Sequence, residues 1–201
     1  MQVVPFRRIV TAALVLSAAA LGWAIASAFA ATRPQKTIRG SRITRTHGTL
    51  AAGSTVSSAK LFGLRVFTDA KHGFALADIG SAQYPAATVD GGRTWKTDGP
   101  ALHVNAAQAP LAVVDIGAAG RKTVFAWGTG QVIDATRDGG KHWYRAVFQG
   151  LPVAVTRNSR GHLVAFVDRS TGGEGSRGVT WQYVSKDGGR SWHYSTTVGG
   201  S

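Results

Sequence analysis

Thr88-Val89-Asp90-Gly91-Gly92-Arg93-Thr94-Trp95 recurs as Thr136-Arg137-Asp138-Gly139-Gly140-Lys141-His142-Trp143 and again as Ser185-Lys186-Asp187-Gly188-Gly189-Arg190-Ser191-Trp192. The three aspartates are 48 and then 49 residues apart. A period near 50 with one hairpin turn per unit indicates β-propeller-type blades rather than a helical solenoid. Asp-Gly between β-prone runs is a hairpin signal, because glycine takes the positive-φ positions and the carboxylate accepts backbone N–H groups within the turn. The hydroxyls of Thr88, Thr94, Thr136, Ser185 and Ser191 can bond the same turn. The tryptophans at 95, 143 and 192 supply a large apolar surface that clamps each turn onto its blade.

The flanking sequence reads as β throughout. In unit one, Leu64 to Phe67 pairs with Phe74 to Ile79, and Tyr84 to Val89 with Thr94 to Thr97. In unit two the first hairpin joins Ala112 to Ile116 with Thr123 to Trp127, and in unit three Val153 to Thr156 with Leu163 to Val167. Gln131 to Ala135 and Thr180 to Val184 supply the third strands. The expected fold class is all-β: a propeller-type repeat domain over residues 61–201 with three four-stranded blades. Closed propellers usually have about four to eight blades, so three leave the arc open or completed by something else. The last strand, His193 to Val198, carries no Lys, Asp, Glu or Pro to discourage edge pairing. A strand added from Thr37 to Leu50, or from a second copy in a homo-oligomer, is expected there.

Residues 1–30 stand apart. Arg7 and Arg8 precede an apolar run from Ile9 to Ala30 that ends in Ala28-Phe29-Ala30. Small residues there read as a signal peptide cleaved after Ala30, although the run also matches the roughly 20 residues of a membrane anchor. Either reading places the domain outside the cytoplasm, secreted or in the cell envelope. The chain has no cysteine, which excludes disulfides, thiolate metal sites and cysteine nucleophiles.

Of the net charge of +13, residues 31–60 contribute six Lys or Arg and no acid, and residues 61–201 carry 15 bases against 10 acids. Residues 31–60 therefore read as a basic linker. Within it Arg33, Lys36, Arg39, Arg42 and Arg45 recur every third residue, which would align them along an extended polyproline-like chain. Such a strip could dock on an anionic membrane or cell-wall surface; a solvated tether is the plainer reading. No nucleic-acid-binding motif is present, and nucleic acid is not an expected partner.

The repeat resembles the Asp-box, or bacterial neuraminidase repeat, of form Ser/Thr-x-Asp-x-Gly-x-Thr/Ser-Trp, with His142 replacing the last hydroxyl in the second copy. It is also similar to the photosystem II assembly-factor family of propellers. There a strand pair like Val66-Phe67-Thr68-Asp69-Ala70-Lys71-His72-Gly73-Phe74-Ala75-Leu76-Ala77 precedes each turn. The likeness covers residues 61–201. Because Asp boxes of sialidases lie away from the catalytic face, it implies a structural role for Thr88, Asp90, Gly92, Thr94 and Trp95, for Thr136, Asp138, Gly140 and Trp143, and for Ser185, Asp187, Gly189, Ser191 and Trp192.

The assembly-factor likeness implies an exported, non-catalytic module that binds a protein partner. The sialidase likeness implies a glycan-binding or glycan-hydrolysing protein. Sialidase chemistry needs an arginine cluster, a Tyr–Glu pair and an acid–base Asp. The single glutamate, Glu174, lies in the glycine-rich stretch 170–178, and no catalytic residue is assigned. The six histidines show no metal-binding spacing, so no metal or cofactor is expected. His142 and His193 read as blade-edge residues, and the aspartates at 69, 78, 98, 115, 134 and 168, mostly in or beside turns, as solvated turn chemistry.

Overall fold

The computed structural model describes residues 33–44, 50–104, 113–128, 130–169 and 179–199. Three short strands come first: β1 (Thr37–Arg39), β2 (Ser41–Arg42) and β3 (Thr55–Val56). A 3-10 turn, Ser58–Lys60, leads into the first blade: β4 (Leu61–Phe67), β5 (Gly73–Ile79), β6 (Ala82–Thr88) and β7 (Trp95–Thr97). A short β8 (His103–Val104) pairs with β6. The second blade is β9 (Asp115–Ala118), β10 (Val124–Trp127), β11 (Val132–Thr136) and β12 (Trp143–Val147). The third is β13 (Leu151–Arg157), β14 (Leu163–Asp168), β15 (Thr180–Ser185) and β16 (Ser191–Val198).

Each blade is an antiparallel meander, and each gains a fifth strand from the segment before it, in the orders β3-β7-β6-β5-β4, β2-β12-β11-β10-β9 and β1-β16-β15-β14-β13. The fold is therefore an all-β, open propeller-type domain of three sheets.

The described part of the expected linker, residues 33–44 and 50–60, is thus not a tether. The chain runs along the outer edges of the blades in reverse order, third, second, then first. Thr37 pairs with His193, Arg42 with Tyr144, and Val56 with Trp95. Backbone bonds outside the ladders fix each crossing: Gly40 N–H donates to Arg190 O, Ile43 N–H to Trp143 O, and Gly53 N–H to Thr97 O, at 2.8, 2.8 and 2.7 Å. Residues Pro34–Ser201 form one compact unit.

The polyproline strip is likewise replaced. In a β-strand successive side chains alternate faces, so Ile38 turns into the core while Arg39 stays exposed. Arg39 and Arg42 end on the edges of different blades, and Arg33 and Lys36 are exposed ahead of them. Arg45, Glu174 and the leader lie outside the described residues.

The core is built between sheets. Phe74 and Leu76 of the first blade meet Ile116, Val124, Ala126 and Trp143 of the second. Phe125, Ile133 and Phe148 of the second meet Leu163, Val167, Tyr183 and Trp192 of the third, with Ile38 of β1. Aromatic area dominates such junctions, and Phe148 packs edge-on against both Tyr183 and Trp192, at 5.3 and 5.8 Å. Trp95 has no preceding blade among the described residues and packs instead on Val56, Ala75, Ala77 and Ala86, with Phe67 edge-on at 6.2 Å.

Candidate functional site

Each Asp-Gly-Gly turn is closed by its own side chains. Thr88 Oγ1 donates to Asp90 Oδ1 at 2.8 Å and accepts from Gly92 N–H at 3.0 Å. Asp90 also accepts from Thr94 N–H at 2.9 Å and the Thr94 hydroxyl at 2.7 Å. The third turn repeats this with Ser185, Asp187 and Ser191. In the second, His142 stands where the hydroxyl is missing. Its Nδ1 lies 2.6 Å from Asp138 Oδ2, so the ring N–H supplies the absent donor. His142 is therefore a turn residue, not merely a blade-edge one.

These donors favour the ionised carboxylate. The hydroxyl and N–H of Thr94 hold Asp90 well below the usual carboxylate range. Burial opposes the same shift at Asp138 and Asp187, yet the donors from His142 and Thr136, and from Ser191 and Ser185, outweigh it. The turns are tied to their neighbours on one rim: Gly91 N–H donates to Lys71 O and Gly139 N–H to Lys122 O. Asp69, in the first hairpin turn, accepts from the ring and N–H of His72 and from Lys71 N–H, which lower its carboxyl, and binds Arg121 Nε of the second blade at 3.0 Å.

The junction between the first and second blades differs from the rest. Trp95 and Trp192 donate Nε1–H within their own turns, to Gly92 O and Gly189 O at 3.1 Å. Trp143 donates to Asp98 O of the preceding blade at 2.8 Å. Gly140, at φ +79°, lies so close to Asp98 that a Cβ would collide with it. Asp98 Oδ2 is buried without a hydrogen-bond partner. Burial, reinforced by the nearby charge of Asp138, pushes the Asp98 carboxyl up to about 6.

Asp134 lies opposite Arg145 on neighbouring strands and is fully buried. Arg145 grips it through Nε and Nη2 at 2.8 and 2.7 Å, and Nη2 also donates to Leu102 O of the first blade. Burial pushes the Asp134 carboxyl up, and the guanidinium opposes that shift. Paired charges of this kind are sensitive to loss of one partner. Asp98 and Asp134 are thus blade-junction groups, not solvated turn residues. Cross-strand register, which brings Arg145 to Asp134, is the signal a reading of turns alone misses.

Among the described residues, no group of three or more His, Cys, Asp or Glu could hold a metal ion. No helix among them is long and apolar enough to cross a membrane. The Asp-Gly-Gly carboxylates are consumed by turn donors. On the outer edge of the third blade, β1 covers β16 only from Ser191 to His193, and Tyr194 N–H donates to Lys36 O at 3.0 Å. Ser195 to Val198 are exposed.

No family model matches the chain. No curated protein matches it either. Among solved structures it is similar to "YCF48 bound to D1 peptide", at 14% identity and a TM-score of 0.30, over 82% of this chain and 72% of that one.

Proposed function

We propose that this chain is an exported, non-catalytic propeller-type module that binds a protein partner. The observation carrying the proposal is the outer edge of β16. Among the described residues nothing pairs with the side of Ser195–Val198 that faces away from β15, and these residues are exposed and carry no charge or proline. An uncovered, β-prone edge is a template for an added strand, and natural proteins blunt such edges when they are not used. Exposed Val198, on the same strand, adds apolar contact area. The consumption of the turn aspartates by their own loops speaks for scaffold over catalysis.

The test is affinity capture from an envelope fraction with the full chain and with Thr197→Pro, which removes an N–H that the register turns away from β15. A protein retained in stoichiometric amount by the wild type and lost with Thr197→Pro, at unchanged Tm, supports the reading. Retention by both places the contact elsewhere, and capture of nothing but a second copy replaces the partner with a homo-oligomer.

A further inference from the structure

We propose that the depression between Arg39 and Arg190, on the rim of the third blade, is a binding site for a phosphate-type oxyanion. The site stands apart from the β16 edge and does not depend on it. Thr37, Arg39, Gly40, Asp187, Arg190, Ser191 and His193 line a shallow, open space of about 510 Å³. That is roomier than a bare ion needs, and leaves space for the group that bears it.

The two guanidiniums are placed by the fold. β1 pairs with β16 so that Arg39 lies opposite Ser191, next in sequence to Arg190. Gly40 N–H donates to Arg190 O at 2.8 Å, which locks the two backbones together. The Arg190 guanidinium rests 5.0 Å over the Tyr144 ring of the second blade. Such stacking holds a planar fork in place and reduces the entropy lost on binding. The third blade alone combines these parts. At the first turn, among the described residues, the strand pairing beside Arg93 brings Thr55 and Val56 to Lys96 and Trp95, with no arginine; at the second, Lys141 replaces the arginine.

The acid in the depression forms no ion pair with these cations. Asp187 accepts from the Ser185 hydroxyl and from the N–H and hydroxyl of Ser191. Among the described residues neither Arg39 nor Arg190 has an acidic partner. His193 adds an imidazole, its Nδ1 3.3 Å from the Thr37 hydroxyl. Two forks with N–H donors in fixed pairs suit the several oxygens of a phosphate or sulfate ester, to which each guanidinium can donate twice. The group could be borne by a soluble or polymeric phosphate or by a lipid headgroup, both of which present the same oxygens.

The test titrates the full chain with inorganic phosphate and with sulfate, following backbone amide shifts. The expected result is saturation, with shifts confined to Gly40 and Arg190–His193, and an affinity at least ten-fold weaker in Arg39→Gln and in Arg190→Lys at unchanged Tm. Arg39 is exposed, so its variant folds; Arg190→Lys keeps the charge and removes only the fork. A second arm compares flotation with phosphatidylglycerol and with phosphatidylcholine vesicles. Phosphatidylglycerol-dependent flotation lost in Arg39→Gln assigns the lipid, whereas phosphate saturation without it assigns a soluble or polymeric phosphate. Shifts that never saturate, that spread equally to Arg93 and Lys141, or that saturate with undiminished affinity in Arg39→Gln would overturn the site.

Discussion

Trp143 Nε1 donates to the carbonyl of Asp98 at 2.8 Å, across 45 residues and from one blade to the one before it. Its two counterparts spend the same N–H inside their own turns. The second turn therefore serves as a rivet between blades as well as a hairpin closure, and its neighbours Gly140 and Asp98 are pressed together by that arrangement.

Removing the rivet without opening a large cavity should show its worth. Trp143→Phe is expected to lower stability by about 1–2 kcal/mol, since it deletes one hydrogen bond and leaves a carbonyl with one donor fewer. Urea denaturation measures the loss, and amide exchange should quicken on both sides of the junction, in β5 as well as β10. A loss confined to the second blade would show that the bond does not couple the two.

The two glycines of the second turn separate backbone strain from contact. Gly139 and Gly140 both have positive φ, at +69° and +79°, yet an added Cβ at Gly139 meets nothing within 4 Å while one at Gly140 meets Asp98. Gly139→Ala should cost about 1 kcal/mol from the backbone alone, and Gly140→Ala on the order of 3 kcal/mol, because the neighbour there is backbone as well as side chain. Equal losses on thermal denaturation would mean that the blades do not meet at Gly140.

His142 should be replaceable by what it replaces. His142→Thr is expected to keep the stability of the wild type, since a hydroxyl fills the same role at Thr94 and Ser191. His142→Ala should lose about 1 kcal/mol, the worth of one hydrogen bond to a carboxylate that remains partly exposed. Denaturation of both variants at pH 7.5 checks this, and an equal loss in both would assign the ring a packing role.

The pH dependence follows from opposite shifts. Asp98 is raised in the fold to about 6 from an ordinary 3.8, so the folded state holds its proton more tightly than the unfolded chain does. Its contribution is complete below about 3.8 and is lost as pH rises through about 6. Asp138 and Asp187 are lowered, so theirs is present above the ordinary carboxylate range and is lost as pH falls below it. Asp98→Asn should therefore gain on the wild type by about 2–3 kcal/mol between pH 4 and pH 8. Parallel stability curves for the two proteins would contradict the burial of that carboxyl.

The turns and blades were legible because their signals are local. Asp90, Gly92, Thr94 and Trp95 lie within one hairpin, and the expected Thr180 to Val184 strand differs by a single residue from the observed Thr180–Ser185. The edge strands were harder to see. Thr37–Arg39 and Ser41–Arg42 are three and two residues long, too short for alternation to show, and Ile38 is the one apolar residue among them. Only the addition of a strand to β16 was legible, from the uncharged sequence of that last strand. Asp134 was hidden differently: Val132, Ile133, Ala135 and Thr136 around it are all buried, so its partner had to come from the next strand. That partner, Arg145, is revealed by register alone.

The central claim is that residues 37–44 and 50–56 stitch the three blades together in reverse order. Hydrogen exchange of the Gly40, Ile43 and Gly53 amides tests it most directly, because each donates to a different blade, at Arg190, Trp143 and Thr97. The account predicts that all three are protected, and that protection falls together when the fold is destabilised. Exchange of these amides at the rate of an unstructured chain, with the blade strands still protected, would contradict it.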